Sequence, residues 1–208
     1  MIRVVVFDCD GVLLESVDAK TRAFEQVVEP HGPEAVKLLR DYHLAHGGVS
    51  RVEKFRHFHR EVLGREPQPE EMDDLCSRFV EHSLQNVLCC DEVPGARACL
   101  EALHGKLPLY VASGAPQDEL RMVLARRGLD GFFAGVYGSP AKKPVILRDV
   151  LEQTGAGPGE TLMVGDSSTD LEAAQAVGTL FYGRGRFPEP LPWGEDLSGL
   201  CDFIRQQD

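Results

Sequence analysis

Two kinds of hydrophobic pattern alternate along most of the chain. The run from Ile2 to Phe7 is short, continuously apolar and rich in β-branched residues, which suits a strand buried on both faces of a parallel sheet. Runs of the same character occur at Leu107 to Ala112, Thr161 to Val164 and Thr179 to Tyr182, with a weaker one at Ala134 to Tyr137. Between them, Ala96 to Leu103, Leu120 to Leu129, Val145 to Gln153 and Leu171 to Val177 place apolar residues at helical spacing. Strands alternating with helices predict an α/β fold: a Rossmann-like, three-layer core with a parallel sheet between helices.

One segment breaks this alternation. From Val17 to Leu88 no buried-strand pattern occurs, and amphipathic helical stretches fall near 17–29, 34–45, 50–63 and 69–87. The last follows Pro67 and Pro69 and opens on Glu70 and Glu71, which is helix-start chemistry. Four consecutive helices are too many for one crossover, so the segment reads as an inserted α-helical module. The expected division is a discontinuous core of residues 1–15 and 93–208 and a helical cap with its hinges over 16–92. Val93-Pro94-Gly95 marks the return to the sheet, and Gly183 to Trp193, rich in Gly and Pro, reads as loop.

Charge narrows the partners. The 208 residues carry 22 Lys and Arg against 33 Asp and Glu, a formal net charge of −11. That disfavours a nucleic-acid backbone or an anionic membrane as partner, while local lysines and backbone N–H groups remain able to form a pocket for a small anion. No secretory segment opens the sequence and no apolar run approaches spanning length, so a cytoplasmic protein is expected, a monomer or weak dimer. The six cysteines include no C-x-x-C pair. Reduced thiols are expected and a zinc site is not.

Ligands of open parallel sheets bind beyond the carboxyl ends of the strands, so the residues just past each strand are the test. They are Asp8-Cys9-Asp10-Gly11 after the first, Ser113-Gly114 after the second, Lys142-Lys143-Pro144 after the weak one and Gly165-Asp166-Ser167-Ser168-Thr169-Asp170 after the fourth. Hard oxygen ligands in this number suit Mg²⁺, and a cation offsets the repulsion between neighbouring carboxylates. A carboxylate can also attack phosphorus to form an acyl phosphate. Ser113, the Gly114 N–H and a lysine would bind phosphoryl oxygens, and a second acid would exchange a proton with the leaving group and with water.

DCDGV, ASG, KKP and GDSSTD, in that order, resemble the four motifs of the haloacid dehalogenase superfamily. The helical insert after the first motif resembles the helical cap of its subfamily I, to which β-phosphoglucomutase-like and phosphoglycolate-phosphatase-like members belong. The resemblance runs through about Gly183. It implies Asp8 as nucleophile and Asp10 as general acid/base. It implies Mg²⁺ on Asp8, Asp166 and the backbone carbonyl of Asp10, with Asp170 reaching the metal through water. It implies phosphate binding by Ser113, Gly114 and Lys143; Lys143 is preferred to Lys142 because relatives place the lysine directly before proline. An acid at position 10 supplies the proton that an alkoxide leaving group needs and a halide does not, so phosphate-monoester hydrolysis is favoured over dehalogenation.

In the cap, Gly48-Val49-Ser50-Arg51 resembles the β-phosphoglucomutase loop that contacts the sugar phosphate, which makes Ser50 and Arg51 candidate specificity residues. Ser50 also suits a helix N-cap, and Lys54, His57 and His59 read as a solvated basic helix face. Lys20, a third candidate specificity residue of the cap, stands about where the mutase has a histidine that governs proton transfer, and Gly165-Asp166-Ser167 replaces its E-D-S. Both departures favour a phosphatase of a small phosphorylated metabolite over the alternative, a sugar-phosphate mutase. A non-catalytic module binding a phosphorylated ligand or a protein ranks third, since Asp8, Asp10 and Lys143 are all present. Glu15 occupies a hinge position where relatives commonly have Asp.

Overall fold

The computed structural model describes residues 1–207. The sheet is formed by β1 (Val4–Phe7), β2 (Leu109–Pro116), β3 (Gly135–Ser139), β4 (Thr161–Gly165), β5 (Leu180–Arg184) and β6 (Trp193–Gly194). Its order is β3-β2-β1-β4-β5-β6 and every pairing is parallel. β1 is central, with Val5 opposite Leu109 on one side and Leu162 on the other. Chain order reverses direction on either side of it, so the crevice of a doubly wound sheet opens at its carboxyl end.

Alternation along β1 divides the core. Val5 and Phe7 pack with Leu100 of α5 (Ala96–Leu103), Leu124 of α6 (Gln117–Arg126) and Leu200 of α9 (Leu200–Gln206). Val4 and Val6 pack on the other face with Ile146 and Val150 of α7 (Lys143–Thr154) and Ala173 of α8 (Ser168–Val177). A strand buried on both faces needs no polar alternation, and these two clusters are the reason β1 is apolar throughout.

Between β1 and β2 run α1 (Val17–Val28), α2 (Pro33–Ala45), α3 (Arg51–His57) and α4 (Pro69–Cys89). α3 continues as a π-helical turn, Phe58–Val62. These helices share a cluster of their own, centred on Phe24, Leu39, Phe55, Phe58 and Phe79. The acidic start of α4 is capped reciprocally by Gln68 and Glu71, and Ser50 caps α3 by accepting the Glu53 N–H at 3.3 Å. Among the described residues no helix is long and apolar enough to cross a membrane.

The strands differ from expectation chiefly at β2, β3 and β6, and β1 begins at Val4 rather than Ile2. β2 begins at Leu109 and runs past Ala112 to Pro116, because pairing with β3 resumes at Pro116–Ser139 after a shift in register. β3 is likewise displaced toward its C-terminus. The loop expected at Gly183 to Trp193 holds the end of β5 and the start of β6, a two-residue strand set by pairing of Gly183 with Trp193. Two residues are too few to leave a periodic signal.

Phe55 is fully buried in the helical cluster, whereas Leu38 is 46% exposed. Phe55→Ala is expected to lower the unfolding free energy by about 3–5 kcal/mol, measured by urea denaturation, and Leu38→Ala by less than about 0.5 kcal/mol.

Candidate active site

The end of β1 turns sharply into the helical layer. The Cys9 N–H donates to Asp8 Oδ1 at 2.7 Å and fixes that carboxylate. Gly11 has φ of +73°, and a Cβ there would overlap the carboxylate of Asp166. Glycine is therefore required both by the left-handed backbone and by the close approach of β4's end. Cys9 is buried in the core, and burial, followed by the nearby Asp10, pushes its thiol well up, which removes it as a nucleophile at neutral pH.

Asp8, Asp166 and Asp170 converge, each offering a carboxylate oxygen within 4.8 Å of the others. Lys143, on the first turn of α7, bridges them. Its Nζ donates to Asp8 Oδ2 at 2.7 Å and to Asp170 Oδ1 at 2.5 Å. Asp170 is also tied to the N-terminus of α8, accepting from the Ser167 N–H at 3.2 Å and Ser167 Oγ at 2.6 Å. Lys142, by contrast, is 75% exposed and lies 3.7 Å from Glu53. The two adjacent lysines thus part company, and only Lys143 enters the carboxylate cluster.

One ammonium faces three carboxylates here, and the excess negative charge shows in their titration. Burial, then the neighbouring carboxylates, raise Asp166 to about 8. Burial, together with Asp170 and Asp10 and against the pull of Lys143, raises Asp8 to about 7. Burial opposes the charge on Lys143, but Asp170 and Asp8 more than compensate and hold its ammonium above the usual range. A buried set of hard oxygen donors with surplus negative charge fits a divalent cation.

Asp10 turns the other way. It accepts from Ser16 Oγ at 2.5 Å and from Lys20 Nζ at 2.5 Å. Burial opposes its ionisation, but Lys20 and the Ser16 hydroxyl outweigh that and hold it below the ordinary carboxylate range. Lys20 is raised in return by Asp10, against burial. The two acids of D-x-D therefore lie in distinct settings, one inside the carboxylate cluster and one paired with a cation from α1.

Ser113 is buried near the end of β2 and accepts the Ala115 N–H at 3.2 Å. Gly114 lies directly under the loop between α2 and α3, and a Cβ on it would overlap the Gly48 carbonyl. Thr169 donates to the Gly47 carbonyl from the other side. The helical layer is thus seated on the strand ends and roofs a cavity of about 260 Å³. Asp10, Asp166, Gly114, Lys20, Arg51 and Lys54 are among its walls.

Arg51 is buried in that wall. Its Nη2 donates to Glu119 of α6 at 2.5 Å, and its guanidinium lies 4.6 Å from the Phe79 ring centroid. Ser50 serves α3 as its cap and lines a neighbouring cavity with Ser113 and Lys143. The expected solvated basic face is wrong for Lys54, 3% exposed because it is turned onto Phe24 of α1 and His43 of α2, and for His59, 3% exposed in the π-helical turn with its Nδ1 on the Phe55 carbonyl. Lys54 donates to His43 Nδ1 at 2.7 Å. Sequence reading also missed Glu119, which sits 68 positions from its partner Arg51, and Arg184, whose Nη2 donates to Glu15 Oε1 at 2.5 Å. Neither pair has a spacing signal, since both are brought together only by the fold.

The raised carboxyls carry a sign for stability. Between the ordinary value of 3.8 and the raised values of about 7 and about 8, the folded state holds protons that the unfolded state has released. Stability of the metal-free protein is therefore expected to fall as pH rises through that interval and to level off above it. Thermal unfolding in EDTA checks the slope. Adding Mg²⁺ is expected to raise the midpoint more at about pH 8 than at about pH 5, because ligand carboxylates must ionise to bind it; equal shifts at both values would contradict the cluster's assignment as a cation site.

Comparison with known proteins agrees with this geometry. Residues 2–178 match the model of the haloacid dehalogenase-like hydrolases. The chain is 31% identical over 229 residues to phosphoglycolate phosphatase of Rhodospirillum rubrum, covering 98% of this chain and 91% of the relative. It is 27% identical over 217 residues to phosphoglycolate phosphatase of Aquifex aeolicus, covering 99% and 97%. Among solved structures, CbbY from Rhodobacter sphaeroides in complex with phosphate superposes with a TM-score of 0.74 at 20% identity, covering 96% of each chain, and so shares the fold. With its motifs on the strand ends of such a sheet and the family model matching residues 2–178 of 208, the chain belongs to the haloacid dehalogenase-like hydrolases.

Proposed function

We propose that the protein is a Mg²⁺-dependent phosphatase that hydrolyses a phosphate monoester of a small metabolite through an aspartyl phosphate on Asp8. The observation that carries this reading is the junction of the strand ends. Asp8, Lys143, Asp166 and Asp170 form one buried cluster, with Asp10 and Gly114 facing the cavity beside it. The name of the two curated relatives, phosphoglycolate phosphatase, supports a short phosphorylated acid as the kind of substrate.

In this reading Asp8 and Asp166, with the backbone carbonyl of Asp10, would hold the cation, and Asp170 would support it. When bound, the cation would neutralise charge on the carboxylates and on the phosphoryl oxygens. Asp8, held in place by the Cys9 N–H, attacks phosphorus, and the bond from phosphorus to the ester oxygen breaks. Lys143, Ser113 and the Gly114 N–H steady the phosphoryl oxygens as charge builds on them. Asp10 gives its proton to the departing alkoxide. Water then attacks the aspartyl phosphate while Asp10 takes a proton from it, freeing phosphate and the Asp8 carboxylate.

The Lys20 contact favours the second half of this cycle, because it keeps Asp10 ionised and ready to accept a proton. Protonating the leaving oxygen requires Lys20 to release Asp10 as substrate enters. The division into a core of 1–15 and 93–208 and a helical cap of 16–92 belongs to the same reading. It is supported by the separate apolar cluster of the helices, and cap opening lets the alcohol leave and water enter.

The test is phosphate release from a panel of phosphorylated metabolites with Mg²⁺, run beside Asp8→Asn. The substitution is expected to lower turnover by about 10³-fold or more, the scale seen when a nucleophile is removed. Chelation by EDTA is expected to abolish activity and Mg²⁺ to restore it. Phosphate release that survives either treatment would rule out the mechanism.

A further inference from the structure

Three cations from the helical layer line the cavity above the carboxylate cluster: Lys20, Arg51 and Lys54. Two of them have carboxylate partners. Lys20 pairs with Asp10 and Arg51 with Glu119, each at 2.5 Å. Lys54 forms no ion pair among the described residues, although it is 3% exposed. Its protein contacts are the hydrogen bond to His43 Nδ1 at 2.7 Å and the face of Phe24, 5.5 Å from Nζ to the ring centroid.

The direction of that hydrogen bond is fixed by its neighbours. Thr21 Oγ1 donates its proton to the Val17 carbonyl at 2.8 Å. The 3.1 Å contact between His43 Nε2 and Thr21 Oγ1 then needs the proton on Nε2. His43 Nδ1 is left as an acceptor, and Lys54 donates to it. Burial, then the positive charges of Lys54 and Lys20, pull His43 down to about 3, so it stays the neutral acceptor. An ammonium has three donors. One is used on His43, which leaves two donors and a buried charge without a counterion at the cavity wall. Burying a charge unpaired is costly, and burial followed by the repulsion of Lys20 draws Lys54 down to about 7. An anion in the cavity would relieve both.

That anion is distinct from the phosphoryl group. The phosphoryl position lies over Ser113, Gly114 and Lys143 on β2 and α7, whereas Lys54 projects from α3, among Phe24, His43 and Phe79 of the helical layer. A single ammonium with two spare donors in a small cavity matches a carboxylate better than a second, dianionic phosphate. We propose that Lys54 is the subsite for a carboxylate on the substrate, so that the enzyme selects phosphate esters of short hydroxy acids over phosphate esters of neutral alcohols. This rests on the phosphatase reading above and deepens it.

The test compares phosphoglycolate with 2-hydroxyethyl phosphate, which has a neutral hydroxymethyl group where phosphoglycolate has its carboxylate. The wild-type enzyme is expected to favour phosphoglycolate in kcat/KM, and Lys54→Met to shrink that ratio by about tenfold or more, chiefly through KM, with partial recovery in Lys54→Arg. A thermal-unfolding midpoint close to wild type checks that Lys54→Met is folded. A wild-type enzyme indifferent between the two esters, or a substitution that weakens both equally, would overturn the subsite. A Lys54-dependent preference found for a bisphosphate and not for phosphoglycolate would overturn the carboxylate assignment. Calorimetric binding of phosphoglycolate to Asp8→Asn, with and without Lys54→Met, separates the two readings. If the wild type hydrolyses no ester while binding depends on Lys54, the subsite stands and the phosphatase reading falls; if the wild type hydrolyses esters while binding is independent of Lys54, the reverse holds.

Discussion

Surplus negative charge at the carboxyl end of β1 is the constraint on which the site depends. Asp8, Asp166 and Asp170 are brought within 4.8 Å of one another, and one buried ammonium, Lys143, bonds to two of them. Like charges at this separation repel strongly in a poorly solvated site. The chain holds them there by rigid means: two buried strands, a glycine at position 11 that leaves room for Asp166, and a helix cap that ties Asp170 to Ser167. A buried carboxylate set with surplus negative charge suits a divalent cation.

The helical layer is built around that cluster. Its loop between α2 and α3 passes so close to β2 that position 114 must be glycine, and Thr169 grips the loop from the opposite side. Arg51 reaches from α3 to Glu119 on α6, and Glu15, between β1 and α1, pairs with Arg184 at the end of β5. These polar contacts lie beside an apolar junction, since Ala19 of α1 and Val87, Leu84 and Leu88 of α4 pack into one of the sheet's two clusters, while the rest of the layer has a cluster of its own. Polar contacts of this kind can be exchanged for water at small net change.

Electrostatics then divide the labour between residues that look equivalent. Asp8 and Asp10 are two positions apart, yet burial among carboxylates raises one while Lys20 and Ser16 lower the other. Lys142 and Lys143 are adjacent, yet one is solvated and the other buried between two acids. On α3, Arg51 and Lys54 both face the cavity, but only Arg51 has a carboxylate to meet. Each contrast follows from where the backbone directs a side chain and from what approaches it through space.

Much of this was legible in the sequence. Continuous β-branched runs at Val4–Phe7 and Thr161–Val164 specify strands buried on both faces, because no other element tolerates so apolar and so short a run between turn signals. Helical periodicity located the four helices of the inserted layer closely, and acids, a hydroxyl with glycine, and lysine at successive strand ends marked the site. These features are local: period, propensity and motif order are written in consecutive residues. Tertiary structure alone decided the rest. The two-residue β6 exists only because β5 offers it an edge. Glu119 meets Arg51, Arg184 meets Glu15, and Lys54 is buried against His43, only once distant segments are packed. The partner of a charged side chain is set by three-dimensional proximity, for which the linear order of residues carries no signal.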